Sequence, residues 1–554
     1  MQRFLLAKRA WVVLFAGLCA VNFYGLGGMP LIGPDEPRYA QVAREMFARG
    51  DWVTPTLGGH TWFEKPALLY WLMIAAYRVL GVTEFAARAG AALSGVLTVL
   101  LVGVAARRAE FESGEGLRGL GVTCAAVAAS TLGLLVFARA SSFDILLTMT
   151  VTGALACFYG SEVEREPGRR PWLVGFYVFV GASLLAKGLV GVVIPAGVVA
   201  LYLLLRRRWS GFLRMGLPWG VLLALLVAAV WYGPVIARHG RVFVDEFFVQ
   251  HHFARYVSNR YHHPQPFYFY IPVALGLALP WTFFLFGGLA GAAGVNARAE
   301  DAASKLRVLA LAWLAMPVLF FSVSGSKLPG YVLPAIPGAA LLAGDCLHRY
   351  LRGAGGVLSM RLTGALALVV CGAGAAAAVS GKGEVGAAMR ELPVVYLAAI
   401  LLPILWAGVA ALLYARRRAL AAVSVVGATL LTVALLSGGA VERAARKETL
   451  AGALGAADAQ GFGSLPVLNL HTVERSSEFY AAGRVAYDEA GEPLKFEGAG
   501  QIEEYLRGRG GQALVIVPVR EEHQLFEAPG LEARRVSDNA RDAVVHVRTV
   551  GSRQ

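Results

Sequence analysis

Residues 189–205 read LVGVVIPAGVVALYLLL, and three consecutive arginines, Arg206, Arg207 and Arg208, follow directly. No charged residue interrupts the run. As a helix it would be about 26 Å long, close to the thickness of the hydrocarbon core of a bilayer. A basic cluster at the end of such a run is typical of a cytoplasmic loop. The stretch therefore predicts a membrane-spanning helix.

The remainder of the chain repeats this pattern. Apolar residues make up 57% of the 554 residues and charged residues 16%, and the mean hydropathy is +0.57, more than a soluble core could bury. We therefore predict a polytopic α-helical membrane protein with about thirteen transmembrane helices. The candidate spans are 11–26, 89–106, 120–138, 145–160, 173–186, 189–205, 217–237, 267–295, 308–323, 332–347, 362–379, 394–414 and 420–436.

The net charge of +14 does not indicate a nucleic-acid partner, because the basic residues cluster in short loops between the spans. Such clusters at every second loop act as topology signals and predict a cytoplasmic N-terminus. An odd number of spans then places the C-terminal residues outside the cytoplasm. The five cysteines are scattered in or beside apolar runs, with neither a disulfide framework nor metal-ligand spacing.

Three external segments are longer than the other loops, namely 27–88, 238–266 and 438–554. Long loops in a compact protein usually carry function. We predict a transmembrane catalytic domain over 1–437, with its active site in the first two segments. The third segment has strand-like runs at Pro466–Leu470, Ala513–Pro518 and Ala543–Val550, which predict a small soluble α/β domain.

The first external loop contains two predicted interfacial helices. Asp35, Glu36 and Pro37 are typical of a helix N-cap and first turn, and apolar residues recur at helical spacing from Tyr39 to Phe47. That pattern predicts a helix lying on the outer leaflet. Residues 66–80 are almost entirely apolar but too short to cross a bilayer, so they are predicted to lie in the membrane surface.

Basic residues are disfavoured in external loops of membrane proteins, yet several occur here. The free-energy cost of placing these charges near the membrane indicates that they have a functional role. Binding of an anionic ligand such as a phosphate at the outer interface would be such a role. The alternative is that these side chains reach lipid headgroups or pair with carboxylates. The residues concerned are Arg38, Lys65, Arg88, Arg139, Lys187, Arg238, Arg241, Arg255, Arg260 and Lys327.

Adjacent carboxylates at Asp35 and Glu36, beside an apolar surface, could act as a general base or orient a nucleophile. N-capping alone would also explain Asp35. The surrounding motifs resemble those of the bacterial lipid A aminoarabinose transferases, relatives of the protein O-mannosyltransferases in the GT-C superfamily. The motifs are Asp35-Glu36-x-Arg38-Tyr39-Ala40, Trp52-Val53-x-Pro55, Phe63-Glu64-Lys65-Pro66, Asp144, Ala186-Lys187-Gly188, Phe247-Phe248-x-x-His251-His252-x-x-Arg255 and Lys327-Leu328-Pro329-x-Tyr331-x-Leu333-Pro334.

The resemblance implies an undecaprenyl-phosphate donor carrying 4-amino-4-deoxy-L-arabinose and a lipid A phosphate as acceptor, at the outer face of a bacterial inner membrane. The departing lipid phosphate gains negative charge that fixed cations would stabilise. Lys65, Lys187, Arg255, Lys327 and Arg38 are the candidate cations, with Tyr331 as a hydrogen-bond donor. Asp35, Asp144 and Lys65 are the candidate catalytic residues. Asp35 would position the acceptor or remove its proton, and Asp144 either completes the polar pocket or caps a helix.

The same resemblance implies a divalent cation, zinc above all, shared by Glu64 and His252. Two residues do not make a coordination sphere, His251 is an equally close alternative, and a hydrogen-bonded histidine–glutamate pair would explain the same residues. No nucleotide cofactor is expected. Two other functions stay open from the residues: a related transferase moving another sugar, and a lipid transporter or flippase. The second is disfavoured, because the ionisable residues gather at one interface rather than at mid-membrane.

Overall fold

The computed structural model describes residues 2–254, 265–390, 392–437 and 441–550. Within these ranges the side chains of residues 2–10, 115, 251–254, 384, 385, 388, 441, 443 and 444 are excepted. The chain forms two compact units that interleave along the sequence. The first comprises Met1–Tyr24, Glu64–Leu69 and Arg88–Leu436, and the second comprises Gly25–Phe63, Tyr70–Ala87 and Ser437–Gln554.

Among its described residues, the first unit contains helices joined by loops and no β-strand. Among the described residues, eight helices are long and apolar enough to cross a membrane, or ten if each of two bent pairs counts as one span. Thirteen spans therefore remain a prediction. The α-helices are Gln2–Phe23, Glu84–Ser113, Leu120–Ala129, Leu132–Ala138, Phe143–Val163, Arg169–Lys187, Val190–Leu205, Leu217–Val244, Tyr270–Leu277, Thr282–Ala293, Ala302–Ser322, Ile336–Arg352, Val357–Ser380, Gly383–Arg390, Val394–Leu413 and Arg418–Leu435, with a π-helix at Asp245–Ala254 and 3₁₀ helices at Gly114–Leu117, Trp209–Met215 and Pro329–Ala335.

Residues 267–295, predicted as one span, instead form two helices, Tyr270–Leu277 and Thr282–Ala293, bent by 111°. Pro280 lies at the break, and proline lacks the N–H that a continuous helix would need there. The predicted span over 120–138 is likewise divided, with a bend of 59° between Leu120–Ala129 and Leu132–Ala138.

Buried tryptophan side chains form hydrogen bonds between segments of the first unit. Trp281, fully buried, donates from Nε1 to Ser130 Oγ at 3.0 Å, and Trp313 donates to the carbonyl of Pro334 at 2.7 Å. Large aliphatic side chains such as Leu226 (59% exposed) point outward from the helix Leu217–Val244. Apolar exposure on this scale is suited to lipid contact rather than water.

The second unit begins with the first-loop helix Asp35–Arg49, followed by a hairpin of β1 (Thr56–Leu57) and β2 (His60–Thr61). The helix Leu68–Leu80 starts in the first unit and continues here. The predicted apolar face of Asp35–Arg49 is buried at Tyr39, Val42, Ala43 and Met46. Asp35 was expected to be the N-cap, and this was wrong. The helix begins at Asp35 itself, and Pro34 precedes it without a side-chain cap.

The C-terminal part of the second unit is an α/β domain around one five-stranded sheet. The strand order is β4–β3–β5–β7–β6, with β3 parallel to β4 and β5, and β7 antiparallel to β5 and β6. The strands are β3 (Val467–Leu470), β4 (Lys495–Phe496), β5 (Gln512–Pro518), β6 (Leu531–Asp538) and β7 (Asp542–Thr549), and the helices are Val441–Lys447, Ala451–Ala457, Ser476–Tyr480, Ala499–Arg507 and His523–Phe526, with a π-helix at Asp458–Phe462 and a 3₁₀ turn at Val519–Glu521.

Three of these strands were predicted and two were not. The predicted strands β3, β5 and β7 are almost fully buried, which gives them continuous apolar runs. In contrast, β6 is an edge strand that reads Leu-Glu-Ala-Arg-Arg-Val-Ser-Asp and is mostly solvent-accessible. Charged side chains on an edge strand discourage pairing with other chains. They also interrupt the apolar pattern from which a strand is predicted, so β6 was not recognised in the sequence.

Candidate active site

In the first unit, three predicted site residues lie together although they are distant in sequence. Asp144 is in the first turn of Phe143–Val163, and Lys187 ends Arg169–Lys187. The Lys187 ammonium contacts Asp144 Oδ1 and lies 4.5 Å from the ring centroid of Tyr331. An aromatic face and a carboxylate thus hold one cation in place. Asp144 is not the helix cap, because Ser142 Oγ accepts from the Asp144 N–H at 3.0 Å.

The loop before Tyr331 is anchored by buried polar contacts. Lys327 is 7% exposed, and its ammonium donates to the carbonyl of Ser324 at 2.6 Å. The hydroxyl of Tyr270 donates to the carbonyl of Leu328 at 3.1 Å. A lysine ammonium has three donors, so one bond to a carbonyl leaves Lys327 able to bind an anion as well.

Lys65 and Glu64, the first-loop residues in this unit, form an ion pair. Lys65 Nζ lies 2.6 Å from Glu64 Oε1, and both side chains are 13% exposed. Lys65 is therefore shielded from bulk water, which strengthens its interaction with any charge brought to it.

The predicted metal pair cannot be assembled from the described side chains. His252 and the alternative His251 have side chains outside the described residues, and Arg255 lies outside them altogether. Among the described residues there is no group of three His, Cys, Asp or Glu side chains that could hold a metal ion. Glu64 contributes a single carboxylate, already bonded to Lys65. Zinc binding stays a prediction, and we derive no chemical step from it.

In the second unit, the two acidic residues of the first motif differ in their surroundings. Asp35 is exposed, and it forms no hydrogen bond or ion pair with any residue in the described ranges. Glu36 is 6% exposed, and its Oε2 accepts from the N–H of Ile32 at 3.1 Å. Glu36 therefore holds the loop together, while Asp35 is left available to a ligand.

Arg38, predicted to contact phosphate, lies between an aromatic ring and a carboxylate. Its guanidinium is 5.2 Å from the ring centroid of Trp62, and its Nε is 3.7 Å from Oε2 of Glu478. Stacking and ion pairing together restrict a side chain that otherwise has many rotamers.

Glu478 was not predicted from the sequence. This residue is 1% exposed and sits in the short helix Ser476–Tyr480, where it also accepts from Arg475 at 2.8 Å. Burial raises the pKa of the Glu478 carboxyl, and the charges of Arg38 and Arg475 oppose that shift. Arg475 in turn bonds Glu492 at 3.0 Å. No sequence signal distinguishes Glu478 from the many exposed acids of the C-terminal segment.

A cavity of about 430 Å³ lies beside the residues that precede Asp35. Its walls come from the first loop and from the C-terminal domain of the same unit, and they mix apolar with charged side chains. The lining residues are Ile32, Gly33, Pro34, Ala445, Glu448, Val473, Glu474, Arg475 and Arg541. Such a mixture is compatible with a polar, partly charged headgroup.

Residues 31–234 match the family model of the dolichyl-phosphate-mannose-protein mannosyltransferases. The chain is 32% identical over 372 residues to the undecaprenyl phosphate-alpha-4-amino-4-deoxy-L-arabinose arabinosyl transferase of Edwardsiella ictaluri, covering 67% of this chain and 64% of that one. It is 32% identical to the protein of the same name from Pseudomonas aeruginosa, over 65% and 63% of the two chains. The crystal structure of ArnT from Cupriavidus metallidurans bound to undecaprenyl phosphate matches with a TM-score of 0.77, 25% identity and 98% coverage of both chains.

The chain belongs to the aminoarabinose transferase family. The structural match spans both units and confirms the predicted fold class, a polytopic α-helical membrane protein with a small C-terminal α/β domain. The curated relatives of the family are matched over somewhat less than two thirds of their own length. The archaeal oligosaccharyltransferase AglB of Archaeoglobus fulgidus, 12% identical with a TM-score of 0.50, shares the fold alone.

Proposed function

We propose that this protein is an inverting glycosyltransferase that moves 4-amino-4-deoxy-L-arabinose from undecaprenyl phosphate to a phosphate of lipid A, at the periplasmic face of the bacterial inner membrane. The cluster of Lys187, Asp144 and Tyr331 carries the proposal. The Lys187 ammonium in this cluster is a fixed cation that could bind a lipid phosphate. A similar protein, ArnT from Cupriavidus metallidurans, was crystallised with undecaprenyl phosphate.

The role of the cations follows from the leaving group. As the bond from the anomeric carbon to the undecaprenyl phosphate oxygen breaks, the phosphate gains negative charge that positioned cations stabilise. Lys187 can hold Asp144 with one N–H and the phosphate with another, since an ammonium has three donors. Lys65 and Lys327, both largely buried, would supply further charge. Asp144 would then orient Lys187 rather than react.

The acceptor side involves Asp35. An oxygen of the acceptor phosphate attacks the anomeric carbon from the face opposite the leaving group, so one displacement inverts that carbon. A phosphate monoester has a second pKa near roughly 6 and is largely ionised before it arrives. Asp35 would therefore position the acceptor more than deprotonate it. The cavity beside Pro34 provides space for a headgroup next to Asp35.

The orientation in the membrane is part of the proposal. Basic clusters at every second loop favour a cytoplasmic N-terminus, and the α/β domain would then lie in the periplasm. Adding an amino sugar to lipid A phosphates brings positive charge to the cell surface, which would weaken the binding of cationic peptides such as polymyxin.

The experiment is mass spectrometry of lipid A from cells with the gene, without it, and with a Lys187→Ala variant expressed at the same level. We expect a pentosamine mass on lipid A with the wild-type gene alone. The match of residues 31–234 to a mannosyltransferase model favours a second candidate, transfer of a hexose from the same kind of donor. A hexose mass would select that candidate, and unchanged lipid A in all three strains would contradict both.

A further inference from the structure

Gly330 lies in the 3₁₀ helix Pro329–Ala335, directly before Tyr331, and it is buried. Its backbone φ is outside the left-handed region, so the local conformation does not require glycine. The reason for glycine must therefore be space rather than conformation.

A β-carbon at this position would collide with Asp144. It would lie 2.5 Å from Asp144 Oδ2 and 2.8 Å from Cε1 of Phe137. Non-bonded heavy atoms are normally about 3.5–4.0 Å apart, so one of these groups would have to move. The lack of a side chain at Gly330 thus leaves the space in which one carboxylate oxygen of Asp144 lies.

The backbones on both sides are anchored. The N–H of Asp144 bonds Ser142 Oγ at 3.0 Å, and its carbonyl accepts from Thr148 Oγ1 at 2.7 Å. The segment around Gly330 is held at its ends by the bonds from Tyr270 to Leu328 and from Trp313 to Pro334. A methyl group at Gly330 would therefore displace the Asp144 side chain before it displaced either backbone.

A displacement of the Asp144 side chain would also move the Lys187 ammonium. Oδ1 of Asp144 contacts the Lys187 ammonium, whereas Oδ2 has no hydrogen-bond partner among the described residues. Rotating the carboxylate away from Gly330 moves Oδ1 as well, and with it the ammonium over the Tyr331 ring.

We propose that Gly330 is a positioning residue whose lack of a side chain fixes the Asp144 carboxylate and, through it, the Lys187 ammonium in the donor phosphate site. This inference rests on the proposed function, because it assumes that Lys187 binds the lipid phosphate. It adds a glycine to the set of residues on which that site depends.

The test compares full-length Gly330→Ala with Gly276→Ala, both purified in detergent. Gly276 is a matched control, since it lies in the helix Tyr270–Leu277 without a left-handed φ. Apart from its chain neighbours and the backbone of its own helix, no heavy atom of the described residues lies within 4 Å of the position that an alanine methyl would take. We measure the shift in unfolding temperature caused by undecaprenyl phosphate, and kcat and KM with the aminoarabinose donor and lipid A. Gly330→Ala should reduce kcat on the order of 10²-fold and diminish the lipid-induced shift, because small misplacements of catalytic groups are costly. Gly276→Ala should behave as wild type.

A double variant separates positioning from general crowding. In an Asp144→Ala background, Gly330→Ala should cause no further loss of undecaprenyl phosphate binding, because the displaced group is gone. If Gly330→Ala alone does not fold, the double variant should fold, since the partly exposed ring of Phe137 can move aside. A double variant that also fails to fold would overturn the proposal.

The outcomes distinguish this inference from the proposed function. Wild-type protein that neither binds undecaprenyl phosphate nor transfers sugar would remove the proposed function, and the inference with it. Wild-type protein that binds and transfers, with Gly330→Ala matching Gly276→Ala in both measurements, would refute the role of Gly330 alone.

Discussion

Nε of Arg38, in the segment 27–88, lies 3.7 Å from Oε2 of Glu478, in the C-terminal domain. Arg38 follows Asp35 by one helical turn, and Glu478 is almost fully buried beneath it. The C-terminal domain therefore contributes to the local structure that presents Asp35, rather than being an independent appendage.

Removing the Glu478 side chain should destabilise this unit. Glu478→Ala would remove the acceptor that Arg475 contacts at 2.8 Å, at a site that is 1% exposed, and leaving a buried donor without its acceptor costs about 1–3 kcal/mol. The matched control is Glu492→Ala, since Glu492 also pairs with Arg475 but is 58% exposed, and exposed pairs contribute about 0–1 kcal/mol. Urea unfolding followed by fluorescence provides the measurement, and equal losses for the two variants would contradict the burial argument.

The raised pKa of Glu478 predicts a pH dependence of stability. A carboxyl group with a higher pKa in the folded than in the unfolded state binds protons more tightly when folded, so its charge opposes folding above the folded pKa. Protonation relieves that cost as the pH falls through the folded pKa, and the relief is complete below the unfolded value near roughly 4.3. The free energy of unfolding of wild type, minus that of Glu478→Gln, should therefore increase as the pH falls from 7. A difference that stays constant or decreases would show that the pKa is not raised.

Lys65 should be essential for transfer but not for folding. Lys65→Ala removes an ammonium proposed to stabilise the departing phosphate, and losing such a contact costs roughly 10²–10³-fold in kcat. Lys382→Ala, in an exposed loop of the same unit, serves as the control. Turnover near the wild-type rate in purified, monodisperse Lys65→Ala protein would exclude Lys65 from the site.

Asp35→Asn should reduce the rate of sugar transfer to lipid A, but by less than the loss expected if Asp35 were a general base. Asparagine keeps the size of aspartate, and the helix should survive because Asp35 is not its N-cap. The pH profile of turnover with defined lipid A decides between the two roles. An ionisation limb in wild type that the variant abolishes, with a loss of roughly 10²–10⁴-fold, would identify Asp35 as a true base and refute positioning.

Orientation can be tested with a reporter enzyme that is active only in the cytoplasm, fused after Gln554. We expect no activity, because the alternating basic loops predict an external C-terminus. A fusion after Arg208, in a predicted cytoplasmic loop, should be active. The opposite pattern would invert the topology.

The membrane fold was predictable because charge-free runs such as 189–205 are long enough to cross a bilayer and too apolar for a soluble surface. The family resemblance predicted that Asp144 and Lys187 belong to one site, but it did not predict that they form an ion pair. Nothing in the local sequence determines the distance between two residues that are far apart in the chain. The break at Pro280 was missed because the apolar run continues through it. Glu478 was missed for a different reason: its importance comes from burial, which a stretch of mixed charges does not reveal.

The interleaving of the two compact units affects how the protein is made. Gly25–Phe63 and Tyr70–Ala87 are synthesised early, but the rest of their unit, Ser437–Gln554, is synthesised last. At about 5–20 residues per second, the ribosome would need roughly 20–70 s to translate the residues between them. Throughout that interval Asp35 and its helix exist without Glu478. A chain truncated before Ser437 would therefore contain the helix that carries Asp35 without the Glu478 carboxylate that pairs with Arg38.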